Sequence, residues 1–314
     1  MTIVSTSLER ASQWDQICFP VHTLPLAQLL PASYELLATD RQTAVVGEGE
    51  PGSFQVFALQ GKDYSLIPNT LLREVVDSCI SDYKLDIHFS DRGEFSIAII
   101  LPQPVRIGEE QVYKTLILNN SYTGKTPFTI QGTTLKDERT NKARISFYRQ
   151  LCSNSLMGWA DDFSSLEQYQ SWLGSGQMPK INNSLVDPTS VVHKKISHKK
   201  LDLSWFEQYL KEVISSFLSQ HTSVTAQVHS RLTQVSPPKQ VQELIVETGI
   251  PKQLAKIAME RLRKEEKILK TEPTLWLVYN AINYSLLNSR SSLTIGDRYE
   301  LDKKALHHLA ALAF

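Results

Sequence analysis

Cysteine is scarce in this chain, with only Cys18, Cys79 and Cys152 in 314 residues. The number is odd, the spacings are long and no CxxC pair occurs, so neither a disulfide framework nor a structural zinc site is expected. Also missing is any run of about 18 apolar residues, which argues against a membrane span. The first eleven residues lack an apolar stretch after a basic start, so the chain reads as cytoplasmic. The phosphate-loop pattern GxxxxGK[ST], the GxGxxG turn, the GxSxG elbow and the HExxH helix are all absent, so no nucleotide or metal cofactor is expected. The nearest metal-like set is His193 and His198 with Asp187 or Asp202, and it lies in a lysine-rich segment whose charge repels a cation. Cys152 has no histidine near it in sequence, so it reads as a buried structural thiol, and no catalytic residue is assigned.

What the chain does contain is an ordinary globular composition, 41% hydrophobic and 21% charged. Its formal net charge of zero is unevenly spread. Residues 1–135 carry 9 Lys/Arg against 15 Asp/Glu, whereas residues 136–270 carry 20 against 14. A basic surplus in one stretch points to a surface facing a polyanion.

The pattern of apolar residues divides the chain into four parts. Residues 1–53 are broken by Pro20, Pro25, Pro31 and Pro51 and read as an irregular or lightly helical arm, suited to a subunit contact, with an amphipathic stretch at Ser33–Thr39. Residues 54–172 read as an α+β domain. Phe54–Leu59 and Tyr64–Pro68 form strands, and a helix follows, capped at Asn69 or Thr70. Two hairpins come next, one turning at Asp91–Gly93 and one around Tyr122–Lys125, and Arg144–Cys152 begins as strand and runs into helix near Asn154. Residues 173–189 form a connection, and residues 190–314 are largely helical: a stripe from Leu203 to Phe217, a helix opened by Pro237-Pro238 and ended near Gly249, and another opened by Pro251. The expected fold is an antiparallel sheet with one face backed by helices, followed by a helical C-terminal region.

Two distant segments carry a resemblance. One comprises Leu116-Ile117-Leu118-Asn119-Asn120-Ser121-Tyr122-Thr123-Gly124 with Arg149-Gln150-Leu151-Cys152-Ser153-Asn154; the other is Thr274-Leu275-Trp276-Leu277-Val278-Tyr279-Asn280-Ala281-Ile282-Asn283-Tyr284. Taken in order, they resemble the phage/plasmid-like protein family, a domain of unknown function (number nine-three-two), over roughly residues 54–290. That resemblance implies a mobile-element setting without naming a reaction. Its motif residues here are Asn119, Ser121, Gly124, Cys152, Asn154, Trp276 and Asn280. Thr123-Gly124 stands where the family has Asp-Gly, which removes an acidic metal ligand. In outline, the helix-backed sheet is also similar to single-strand annealing proteins of the Red-beta-like class, which work as rings or filaments.

Basic side chains cluster where the first motif ends. Lys136, Arg139, Lys142, Arg144 and Arg149 are interleaved with Phe147 and Tyr148; alternation assigns Phe147 to the core and leaves Tyr148 to stack on a base. Lys194, Lys195, Lys199 and Lys200 form a second cluster able to contact phosphate. Residues 238–270 have a helix-turn-helix outline ending in a basic helix, but Glu260, Glu265 and Glu266 offset its charge, and its polar face reads as laced with ion pairs. The function expected is non-catalytic binding of single-stranded DNA or RNA, of annealing or recombination type, by a homo-oligomer in a ring or filament. Two alternatives stay open: an enzyme or small-molecule-binding protein with a polar site at Asn119, Ser121, Arg149, Asn154, Trp276 and Asn280, and an interaction module acting on host machinery.

Overall fold

A computed structural model describes residues 8–29, 42–48, 54–124, 128–130, 133–134, 144–175 and 201–314. Its centre is an eight-stranded antiparallel sheet. Strands β1 (Glu9–Ala11), β5 (Lys84–Phe89), β6 (Glu94–Ile107), β7 (Glu110–Ser121), β10 (Ser146–Arg149) and β11 (Asn154–Leu156) lie side by side in that order, and the short β8 (Thr129–Ile130) and β9 (Thr133–Thr134) extend from β7. The β5–β6 turn at Asp91–Gly93 falls where alternation places it, with Gly93 at φ +75° and no space for a Cβ against the Phe57 ring. Between Ile100 and Pro104 the β6–β7 register shifts, because Pro102 and Pro104 have no N–H to offer the ladder.

Cross-strand register sorts the side chains into alternating rows. Ala11, Ile87, Ile97, Leu118 and Ile130 form one row across five strands, and Arg10, His88, Ser96, Asn119 and Thr129 form the next, pointing to the opposite face. All but Arg10 in the polar row are buried, so the sheet is covered on both faces instead of one. Each Ile or Leu in the apolar row contributes on the order of 1.5–3 kcal/mol by burial.

The N-terminal segment contributes strands where an irregular arm was expected. β1 pairs with β5, while β2 (Val21–Pro25), β3 (Gln42–Glu48) and β4 (Phe54–Gly61) form a separate antiparallel sheet. The four prolines hide this because Pro25 closes an edge strand, where its missing N–H costs nothing. Residues 33–39 lie outside the described residues. The expected second strand at Tyr64–Pro68 is reduced to a single bridge at Tyr64.

Helix α1 (Asn69–Cys79) starts after Pro68, and the Asn69 side chain donates to the Ile17 carbonyl instead of capping its own helix. The expected helix near Asn154 is a hairpin: the chain turns through Ser153 at φ 52° and returns as β11. After α2 (Leu166–Gly174), the C-terminal region is helical: α3 (Leu203–Ser219), α4 (Val224–Leu232), α5 (Val241–Glu247), α6 (Lys252–Leu269), α7 (Leu275–Asn288) and α8 (Ile295–Ala311). Hydroxyl or carboxylate caps start four of these: Asp202 on α3, Ser223 on α4, Thr274 on α7 and Thr294 on α8. Gly249, at φ 79°, makes the turn between α5 and α6. Helix α8 lies over the polar row, its Tyr299 hydroxyl bonded to the Ser96 hydroxyl. The molecule is therefore α+β, with an antiparallel sheet, helices and a mostly helical C-terminal region.

Candidate functional site

Arg149 ends β10 opposite Asn154 and is fully buried, a costly position for a charge unless it is paired. Two carboxylates meet it. Glu110 accepts from Nε at 2.5 Å and from Nη2 at 2.8 Å, and Glu265 of α6 accepts from Nη1 at 2.5 Å. Trp276 Nε1 donates to Glu110 at 2.9 Å, and Arg261 Nε donates to the other oxygen of Glu265 at 2.7 Å. Burial pulls the Arg149 pKa down, but Glu110, Cys152 and Glu265 together hold it above its ordinary value. Cys152 Sγ lies 3.1 Å from Arg149 Nη1, yet burial pushes its thiol up to about 11, leaving it a thiol and no nucleophile at neutral pH.

One step further, β11 lies against α7. Asn154 Nδ2 donates to the Asn280 carbonyl at 2.9 Å, and Asn283 Nδ2 donates to the Ser155 carbonyl at 3.1 Å and to Asp302 at 2.9 Å. Asp302 also accepts from Trp159 Nε1 at 2.7 Å and from the Tyr279 hydroxyl at 3.1 Å. Burial raises its carboxyl to about 6, against the pull of these three donors. Beside Tyr279 and Trp276, His229 is fully enclosed, neither ring nitrogen has a hydrogen-bond partner among the described residues, and burial lowers its pKa to about 3.

The structure thus gathers Arg149, Cys152, Asn154, Trp276 and Asn280 into one buried junction. Asn119, Ser121 and Gly124 stand elsewhere, about 20 Å along β7 from its pairing with β10 at the usual rise per residue. Asn119 Nδ2 donates to the Thr129 hydroxyl at 3.0 Å within the polar row, and Ser121 bonds the Thr123 hydroxyl at 2.8 Å. Gly124 is a left-handed turn residue pressed by the Gln60 side chain. The six residues of the small-molecule alternative therefore do not form one site. At the sheet's other edge, Asp86 accepts from Arg10 at 2.6 Å and lies 3.5 Å from His88; sequence reading missed this cluster because Arg10, on β1, is 76 residues from Asp86 on β5.

Two of the predicted phosphate-binding cations are committed inside the protein. Arg144 is buried against Asp162 and over the Trp159 ring, and Arg149 is held as described. The reason is what packs on them: Arg149 ends β10 against Glu265 of α6 and the Trp276 ring of α7, and Arg144, just before β10, lies against Asp162 and Trp159. Tyr148 is half-buried and its hydroxyl accepts from Arg10 at 3.3 Å. Phe147 is core, as alternation requires. Lys136, Arg139, Lys142, Lys194, Lys195, Lys199 and Lys200 lie outside the described residues, as do His193, His198 and Asp187. Asp202 is the cap of α3. Among the described residues, no group of three or more His, Cys, Asp or Glu side chains is placed to hold a metal.

Among the described residues, exposed positive charge is concentrated on and just after α6. Lys252, Lys256, Arg263, Lys264, Lys267 and Lys270 are all exposed, and among the described residues none is ion-paired. Of the ion pairs expected within this helix, Arg261–Glu265 forms, and it faces inward to Arg149 and away from the exposed lysines. On α3, Trp205 is 50% exposed and stacked on Tyr209, with ring centroids 5.3 Å apart and planes at 20°. No helix among the described residues is long and apolar enough to cross a membrane. Compared with known proteins, the chain matches no family model, no curated protein and no solved structure.

Proposed function

We propose that this protein binds nucleic acid, single strands in preference to duplex, and performs no chemistry on it. The observation that carries this reading is the outer face of α6. Lys252, Lys256, Arg263 and Lys267 follow one another at helical spacing, with only Glu260 interrupting, over about 22 Å of helix, and Lys270 follows at the C-cap. A row of unpaired cations of that length suits a phosphate backbone, where each neutralised phosphate releases a counterion. The exposed Trp205 stacked on Tyr209 supports the preference for single strands, since only unstacked bases present a face to an indole. The junction around Arg149 supports an enzyme less well, because its guanidinium is already taken by two carboxylates.

In this reading the protein is a cytoplasmic strand-annealing or recombination factor of a phage- or plasmid-like element, acting as a homo-oligomer without a cofactor. Lys136, Arg139, Lys142 and the Lys194–Lys200 cluster add phosphate contacts to those of α6. The test is fluorescence anisotropy with a labelled single strand and its duplex. Binding is expected to favour the single strand and to fall steeply with salt; absence of binding at about 50 mM salt removes the proposal.

A further inference from the structure

Strand β4 is the outermost strand of the three-stranded sheet, and only one of its faces is used. On that face Phe57 stacks on Phe19 at 5.9 Å and tilts against Tyr122 at 5.3 Å. Gln55 Nε2 donates to the Asp91 carbonyl and Gln60 Nε2 to the Thr123 carbonyl, each at 2.6 Å, fixing the strand to the tips of the main sheet. The other face is half open: Phe54, Val56 and Leu59 are 57%, 50% and 53% exposed. The register shift between Val45 and Val46 makes these three neighbours, because it leaves Phe57 unpaired and aligns Phe54, Val56 and Leu59 with Glu48, Val46 and Ala44.

The free edge of β4 is also open. Among the described residues, the backbone of Phe54–Gln60 has hydrogen-bond partners only in β3. Proteins usually protect such an edge with lysine, proline, an inward charge or a bulge, and Phe54–Gly61 has only the bulge at Phe57 and no ionisable side chain. We propose that β4 is a self-association surface, pairing antiparallel with β4 of a second copy about a two-fold axis.

Charge and register both select a second copy as the occupant. A strand without charge meets no repulsion from its own copy and offers nothing to attract a charged foreign strand. With the axis between Phe57 and Ala58, Val56 of each copy faces Leu59 of the other, and Phe54 faces Gly61, so the exposed apolar positions become cross-strand pairs. The two small sheets merge into one of six strands, and the contact closes on itself. A larger ring would need a second, heterologous interface.

Sedimentation velocity on the full chain, without nucleic acid, reads the association directly. A concentration-dependent shift from one to two chain masses in the micromolar range is expected. Val56→Lys with Leu59→Lys should weaken dimerisation at least about tenfold by placing like charges opposite each other, and so should Val56→Glu with Leu59→Glu. Mixing the two variants should restore a dimer. In the unsubstituted chain, amide exchange of Phe54–Gly61 should slow as concentration rises. A wild-type chain that stays monomeric, variants that dimerise as wild type does, a mixture that stays monomeric, or exchange independent of concentration would each overturn the proposal.

Discussion

Asn154 and Asn280 lie 126 residues apart and are joined by one hydrogen bond, from the Asn154 side-chain amide to the Asn280 carbonyl. This bond brings the end of the β10–β11 hairpin into contact with helix α7. A strand end that must donate to a helix carbonyl constrains both partners. The same amide leaves its Oδ1 without a donor among the described residues, as do Asn280 and Asn283.

Asn154→Ala is expected to cost about 1–3 kcal/mol, the usual range for leaving a buried carbonyl without its donor. Asn154→Asp should cost more, because it turns a carboxylate oxygen toward the carbonyl that needs a donor. Urea denaturation of both variants measures the difference, and an aspartate variant as stable as the alanine variant would remove this role for the amide.

Removing Glu265 takes one of two carboxylates from the buried Arg149 and leaves Glu110 as its remaining partner. Glu265→Ala should destabilise by about 3–5 kcal/mol and also release Arg261. Arg149→Lys should not rescue, since an ammonium cannot span both oxygens of Glu110 while reaching Glu265. Thermal melting of the two variants checks both statements.

Two buried groups give opposite pH slopes. Asp302, raised from 3.8 to about 6, keeps a proton that the unfolded chain releases, so its contribution is full below pH 3.8 and is lost as pH rises through about 6. His229, lowered from 6.5 to about 3, refuses a proton that the unfolded chain accepts, so its contribution is full above pH 6.5 and is lost as pH falls toward 3. Between pH 4 and 7, Asp302→Asn should gain on wild type by up to about 3 kcal/mol, and His229→Phe should lose its advantage over the same range, each at about 1.4 kcal/mol per pH unit. Denaturation curves at several pH values decide; parallel profiles for wild type and variants would contradict the assignment.

Replacing Lys256, Arg263 and Lys267 together by Ala should leave the fold intact, since all three are exposed. Affinity for a single strand should drop, and the slope of log affinity against log salt should become shallower by about 2, at roughly 0.7 for each phosphate that is no longer neutralised. An unchanged slope would move the binding surface away from α6.

Helices α3 and α6 are legible in the sequence because their apolar stripes repeat at helical spacing, and the β5–β6 hairpin because Leu85, Ile87 and Phe89 alternate around a glycine turn. Helix α4 is not: in Val224–Leu232 three β-branched residues and His229 blur the stripe, although the last faces the core. The burial of Arg144 and Arg149 is equally hidden, since local sequence shows charge on a strand. The partners that neutralise Arg149 are 39 and 116 residues away. The polar row misleads for a related reason: alternation reads as one face in water, and only the placement of Tyr299 over Ser96 shows that helix α8 covers it.

The alternating rows also govern how this chain can change length. One residue inserted in β6 between Ile97 and Ile99 would send every side chain beyond it to the wrong face, bringing Ser96 or Glu94 among isoleucines or pushing apolar groups under Tyr299. Two inserted residues keep parity and need only a wider turn. Among descendants of this sequence, the central hairpin should therefore lengthen or shorten by even steps, with odd steps confined to places such as Ile100–Pro104 where the register already slips.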